Sequence, residues 1–362
     1  MKKKAVFPGQ YLQGKGIINE LQSLIKLFGF KGLILGSNSV KKKILPSFAS
    51  PDIIKNIPFE IFNGECCEDE LTRLSGIIEK NNIDVIIGMG GGKVIDTAKI
   101  SADRAEIPVI IVPTIASTDA PCSGCAVTYT PESIFEAVHY QKKNPSAVVV
   151  DMNIIADAPV RFLVAGMGDA LATWFEARSC EQTQSVNECG GLSTIAGLHI
   201  AKLCYDMLLK YGVSAKIANE QHIITPALEF IAETNILLSG IGFESSGLAS
   251  AHAVHNGLTA LEETHAYYHG EKVAFGTLTG LHLTAAQPDE IDCVYTFCEQ
   301  VGLPTTFADL GINHLDRNKL IKAAEKVAAP GSPVYHESCE VTSDKILDAM
   351  LMADAYGRSR KS

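Results

Sequence analysis

The stretch Asp84-Val85-Ile86-Ile87-Gly88-Met89-Gly90-Gly91-Gly92-Lys93 decides the fold of this chain. Its run of Val and Ile reads as a strand buried on both faces, as in parallel sheets. The glycines behind it let backbone come close to an anion, and the residues after them have the pattern of a helix. A helix beginning there turns its unpaired N–H groups and the positive end of its dipole toward the turn. The segment therefore reads as a pyrophosphate site built on Gly90, Gly91 and Gly92, with Lys93 and Asp96 in the first turns of the helix. The spacing is not the GxGxxG of the usual dinucleotide fingerprint, and a plain tight connection uses the same glycines.

Outward from this turn, short apolar runs at 32–35, 59–62, 109–112 and 147–150 predict further strands, and 70–81 and 93–104 predict helices. Strands alternating with helices at this spacing imply a parallel, doubly wound sheet. After Asp157-Ala158-Pro159 the pattern becomes long, Ala- and Leu-rich and helical. Pro159 suits a boundary, since it disfavours helix in the residue before it and fits the first turn of the next one. The expected organisation is an α/β dinucleotide-binding domain over 1–157 with a Rossmann-like parallel sheet, then an all-α domain over 158–362. No internal repeat or low-complexity tract is visible.

A second loop, Pro113-Thr114-Ile115-Ala116-Ser117-Thr118-Asp119-Ala120-Pro121, follows the next predicted strand. Loops at the carboxyl ends of neighbouring parallel strands line one crevice. Thr114, Ser117 and Thr118 offer hydroxyls there and Asp119 a carboxylate, although capping and turn chemistry use the same residue types.

The balance of 46% hydrophobic and 20% charged residues is that of a folded globular protein, and a net charge of −10 argues against a nucleic-acid partner. Lys41, Lys42 and Lys43 form the one basic cluster, read as a solvated helix face. Ten cysteines follow no regular framework, and the Cys122/Cys125 pair has no second CxxC at zinc-ribbon spacing. Reduced, packed thiols are expected. Without an apolar segment behind the basic N-terminus or a run of membrane-span length, the chain reads as soluble and cytoplasmic.

The helical half carries an acid, Asp169, before a strongly apolar stretch, where it could complement a helix dipole. It also carries His252, His255, His265 and His269 close together. Imidazoles with a carboxylate are an ordinary ligand set for zinc, although a single His on an apolar helix is usually a packed core residue. His252 and His255 are three apart and share a helix face, so spacing leaves open which of them is a ligand.

GMGGGKVIDTAK at 88–99, VPTIASTDAPCS at 112–123, GMGDALATWFEARSC at 166–180, GFESSGLASAHAVHNGLTAL at 242–261 and YYHGEKVAFGTL at 267–278 together resemble the glycerol dehydrogenases. These belong to the iron- and zinc-dependent polyol dehydrogenases, related in fold to dehydroquinate synthase. The likeness runs in order over nearly the whole chain. It implies metal ligation, and substrate contact through the metal, by Asp169, His252 and His269. The dinucleotide would be lined by Gly92, Lys93, Thr114, Ser117, Ser123, Cys125 and Tyr129, and the polyol held by Asp119. Iron-type relatives have a further His four residues after the Asp, where this chain has Thr173. Three protein ligands suit one zinc per subunit with an open coordination position. Where many NAD-using relatives place Asp after the second strand, this chain has Ser37; that residue accepts from the ribose weakly and does not repel a 2′-phosphate.

The implied reaction is reversible oxidation of glycerol, and of related vicinal diols, with hydride transfer to NAD. Asp119 would orient the substrate and His255 would act as a proton relay or a support to a ligand. The likeness further implies a homo-oligomer, commonly an octamer among relatives. A dehydrogenase of a phosphorylated polyol such as glycerol-1-phosphate, or a metal- and NAD-using lyase of the dehydroquinate synthase type, would need more Lys and Arg around these motifs. A catalytically silent NAD-binding protein would not need the Asp/His/His set. Residues 331–343, with His336 and Cys339, fit no part of the pattern and are assigned no role.

Overall fold

A computed structural model describes residues 2–132 and 134–361. The chain forms two compact units. The first comprises Val6–Pro159 and Ala218–Gly240; the second comprises Met1–Ala5, Val160–Ile217 and Ile241–Ser362. Residues 218–240 lie within the range 158–362, yet they cluster with the α/β unit.

The α/β unit is built on a six-stranded sheet in which all pairings are parallel. Its strands are β1 (Tyr11–Gly14), β2 (Gly32–Gly36), β3 (Phe59–Ile61), β4 (Val85–Gly90), β5 (Val109–Pro113) and β8 (Ala147–Asp151), in the order β1-β8-β5-β4-β2-β3. β2, β4, β5 and β8 are buried along their whole length, as the continuous Val/Ile runs predict for strands covered on both faces. One face packs Leu21, Leu24 and Ile25 of the helix Leu21–Phe28 against Ile34, Ile87, Ile110 and Val149 of the sheet.

Strand order reverses between β2 and β4, because the chain passes from β2 outward to β3 and returns on the other side. The crevice outside the carboxyl ends of two such strands is where open α/β sheets bind ligands. Ser37 follows β2 there, and the glycine turn follows β4. β1 and the antiparallel hairpin β6 (Cys125–Tyr129) and β7 (Phe135–Tyr140) add to the predicted strands. Lys41, Lys42 and Lys43 are exposed, as a solvated face requires.

The second unit is helical. Among its described residues the one β-type contact is an isolated bridge from Lys3 to Leu192. Its long elements include Val160–Thr183, Ser250–Leu258, His269–Leu283 and Ser343–Arg360. All ten cysteines are free, six of them buried. No helix of the described residues is long and apolar enough to cross a membrane.

Candidate metal centre and nucleotide loop

Three helices of the second unit converge on Asp169. The acid stands mid-way along Val160–Thr183, at its tenth residue. It is therefore not at a helix start, and the dipole explanation raised by the sequence falls away. The helix continues through Gly166 and Gly168 even though glycine weakens helices by about 1 kcal/mol each relative to alanine. At Gly168 another backbone occupies the space a side chain would take. A Cβ on Gly168 would overlap the Gly270 carbonyl oxygen, and one on Gly270 would overlap that of Ala165. Asp169 and His269, each next to one of these glycines, are thus brought together by direct backbone contact between their helices. Gly276 plays the same part toward Ser250–Leu258, where a Cβ would overlap Ala251 O, beside His252.

The ligand atoms of Asp169, His252 and His269 all lie within 4.8 Å of one another. His269 Nε2 is 3.1 Å and His252 Nε2 is 3.5 Å from Asp169 Oδ1. Asp169 is buried, while the His269 side chain is 38% exposed, so the cluster opens on the His269 side. Each imidazole is oriented from behind through its other nitrogen. His252 Nδ1 is 2.6 Å from Glu176 Oε2, and His269 Nδ1 is 3.0 Å from His255 Nε2. His255 Nδ1 in turn lies 3.0 Å from Asn256 Oδ1. With His255 Nδ1–H donating to the amide oxygen, its Nε2 accepts from His269 Nδ1–H, and both cluster imidazoles turn Nε2 inward toward Asp169. Backing of this kind by a carboxylate or a second polar group fixes tautomer and ring orientation in metal sites.

The charges follow this geometry. Burial pushes the Asp169 carboxyl up, but the charge of His269 and hydrogen bonds from both histidines hold it well below the usual carboxylate range. Burial pushes His252 down, but Glu176 and Asp169 outweigh it and raise the imidazole well above its ordinary value. His255 is driven well below that value by burial and then by His269, Lys272 and His252, so it is neutral. His269 opens its helix, and Glu271 fixes that end by accepting from the Tyr268 N–H at 2.7 Å and pairing with Arg161.

Glu176 escapes a reading of the sequence, although it lies seven residues after Asp169, two turns on and on the same face. It is buried, and besides His252 Nδ1 its carboxylate accepts from the N–H groups of Ala249 and His252 at 2.8 and 2.9 Å. Thr173 is also buried and brings no imidazole to the cluster. His265 lies elsewhere, its ring 3.1 Å from Thr259 O.

In the α/β unit the glycine turn leads into the helix Gly92–Ala105, and a Cβ on Gly92 would meet nothing within 4 Å. Lys93 pairs with Glu65 and lies over the Tyr129 ring at 5.2 Å. Asp96 is buried and accepts from the Val127 N–H at 3.2 Å, so its carboxylate is committed to β6. The loop after β5 is tied to the turn by the Thr114 N–H, which donates to Gly90 O at 3.0 Å. Ser117 and Thr118 on that loop are half-buried. Ser37 Oγ accepts from the Val40 N–H at 3.3 Å, a helix-capping contact. Asp119 accepts from Ser239 Oγ at 2.9 Å.

A second residue missed in the sequence organises this loop. The buried Lys99 ammonium donates to Ala120 O at 2.9 Å, Ser123 O at 3.1 Å and Cys125 O, with Asp96 3.7 Å away. It therefore holds together the segment carrying Ser123 and Cys125. Its position in GMGGGKVIDTAK gives no hint of this, because a Lys two turns into a helix reads as surface.

The model of the iron-containing alcohol dehydrogenases matches residues 8–152. The chain is 50% identical to the glycerol dehydrogenase of Thermotoga maritima, over 99% of this chain and 98% of that one. It is 46% identical to that of Escherichia coli, over 97% and 96%. The crystal structure of the glycerol dehydrogenase from Schizosaccharomyces pombe matches with a TM-score of 0.94 at 35% identity, over 99% of this chain and 92% of that one. The chain belongs to the iron-containing alcohol dehydrogenase family and is an oxidoreductase. Its full-length relatives at these identities are glycerol dehydrogenases.

Proposed function

We propose that this protein oxidises glycerol reversibly to dihydroxyacetone with NAD as hydride acceptor, using one zinc ion held by Asp169, His252 and His269. The observation that carries the reading is the convergence of these three ligand atoms in a chain whose full-length relatives at 43–50% identity are glycerol dehydrogenases. The reaction removes a hydride from C2 of glycerol to C4 of the nicotinamide and a proton from the C2 hydroxyl. Zinc bound by the three residues supplies a Lewis acid that lowers the pKa of an alcohol and stabilises negative charge building on its oxygen.

The donor set fits such an ion. Two nitrogens and one carboxylate oxygen, with no fourth ligand from Thr173, match a zinc site that keeps a position for substrate. Glu176 holds His252 and His255 holds His269, so neither ring needs to reorient as a metal enters. His255 is also assigned the support of His269, accepting from its Nδ1–H while its own Nδ1–H is held by Asn256. Asp119 is assigned a terminal hydroxyl of the polyol, with Ser239 fixing its carboxylate.

The dinucleotide is assigned to the crevice at the β2/β4 reversal, lined by Gly90, Gly91, Gly92, Lys93, Thr114, Ser117, Thr118, Ser123, Cys125 and Tyr129. The open helix start at Gly92 supports that assignment. Related vicinal diols fit the same chemistry. A homo-oligomer, from the resemblance, and a cytoplasmic location, from the sequence, complete the reading.

Chelator-treated protein is expected to lose glycerol oxidation and to regain it with zinc more fully than with ferrous iron. Full activity without metal would sink the zinc mechanism. Side-by-side rates on glycerol, 1,2-propanediol and glycerol-1-phosphate, each with NAD and NADP, test substrate and cofactor. Preference for the phosphorylated polyol would overturn the assignment.

A further inference from the structure

The segment 331–343, to which the sequence assigns nothing, meets the helical unit at the one place where the His252 helix begins. Between Ser239–Ser246 and Ser250–Leu258 the backbone breaks. Gly247 takes φ +104°, a conformation glycine adopts without strain, and Ala249 caps the second helix at φ −148° and ψ −128°, outside the helical region. A break of this kind leaves first-turn N–H groups and nearby carbonyls without helical partners. Here three of these N–H groups and one carbonyl are taken by side chains. Glu176 accepts from the N–H groups of Ala249 and His252, and Glu337 accepts from that of Ser250 at 3.1 Å. His336 Nδ1 donates to the carbonyl of Leu248 at 2.7 Å.

The strap is itself anchored on the helix that carries Asp169. Ser179 Oγ donates to Glu337 Oε2 at 2.6 Å and Thr183 Oγ1 donates to His336 O at 3.0 Å. Val334 is fully buried beneath it. Glu337 is therefore a buried bridge from Ser179 to Ser250, joining the Asp169 helix to the first turn of the His252 helix. Ser250–Leu258 has only nine residues, too few for its own hydrogen bonds to fix it. His252 is its third residue, so any shift of the first turn moves a ligand.

We infer that Glu337, with His336 beside it, is a positioning residue for the metal centre, setting the start of the His252 helix against Asp169. The inference rests on the metal reading above. Its test compares metal-free wild-type protein with Glu337→Leu and Glu337→Gln. Zinc affinity is read by competition with a chromophoric chelator, ligand geometry by the visible spectrum of the cobalt-loaded protein, and integrity by the unfolding temperature of the metal-free forms.

Glu337→Leu is expected to bind zinc roughly tenfold to a hundredfold more weakly and to shift the cobalt spectrum. Glu337→Gln keeps an oxygen for Ser250 and an amide for Ser179, and should restore both. Wild-type affinity and spectrum in Glu337→Leu overturn the inference, as does a Glu337→Gln variant impaired as much as Glu337→Leu. Should Glu337→Leu fail to fold, Ser179→Ala and His336→Phe carry the same comparison, with weakened zinc binding expected and unchanged binding in both overturning it. Wild-type protein that holds neither zinc nor cobalt would instead overturn the metal reading itself.

Discussion

Ser37 ends its strand as a helix cap, its hydroxyl oxygen accepting from the Val40 N–H. Aspartate caps helices as well as serine does, so Ser37→Asp should keep the fold. It also adds a carboxylate where the adenosine ribose is expected, which accepts from ribose hydroxyls and repels a 2′-phosphate. The variant should therefore lose roughly tenfold or more in kcat/KM with NADP while keeping its rate with NAD. Equal use of both by the variant would place the ribose elsewhere. At His252, Glu176 and Asp169 hold a proton above the ordinary histidine range, and an entering metal must displace it. Zinc affinity should therefore fall with falling pH, beginning above 6.5, the ordinary histidine value. Titrations from about pH 9 to about pH 6 that show a flat affinity would contradict this. The three cluster residues are legible in the sequence because imidazoles are scarce and their motifs long. Glu176 and Lys99 are not, since an acid or a Lys in a helix reads as surface until its buried partners are known.

At the scale of elements, the metal centre depends on contacts that leave no room for side chains. Gly270→Ala would drive a methyl group into Ala165 O and push the Asp169 and His269 helices apart. Overpacking of this kind costs about 1–3 kcal/mol. We expect a lower unfolding temperature and lost zinc retention, read by calorimetry with and without metal; unchanged retention would mean that the helix spacing does not set the site. The central strands are legible because β-branched runs between Gly, Pro and Asp have few other uses. β1 is four residues at a sheet edge, and its Tyr-Leu-Gln-Gly has no such signature. The β6–β7 hairpin lacks a two-residue Asn-Gly type turn, the strongest short-range hairpin signal. What fills the side-chain space of Gly168 lies about a hundred residues away in sequence, so no local pattern shows why a glycine stands there.

For the whole molecule, Pro159 ends the first stretch of the α/β unit, but that unit is complete only with residues 218–240. Asn219 donates to the carbonyls of Ile155 and Ala156 at 3.2 and 3.0 Å, Asn235 to Ala116 O at 3.0 Å, and Gln13 to Glu229 O at 2.9 Å. A fragment ending at Asp157 would leave these groups unsatisfied and should not unfold cooperatively. A sigmoidal thermal transition of the fragment matching that of the whole chain would refute this. No pattern in the sequence announces the arrangement, because helical periodicity reports that a helix has a buried face and says nothing of which core receives it.

The interleaving also bears on how the protein is made. A ribosome delivers residues in order, and domains that are continuous in sequence fold as they emerge. This α/β unit must wait for roughly eighty further residues after Pro159 before Gly240 is in place, which at ~5–20 residues per second is about 4–16 s. Throughout that interval the α/β unit lacks the part that residues 218–240 supply. A unit left incomplete in this way is the kind of nascent chain that chaperones engage, during a window that the finished enzyme no longer reveals.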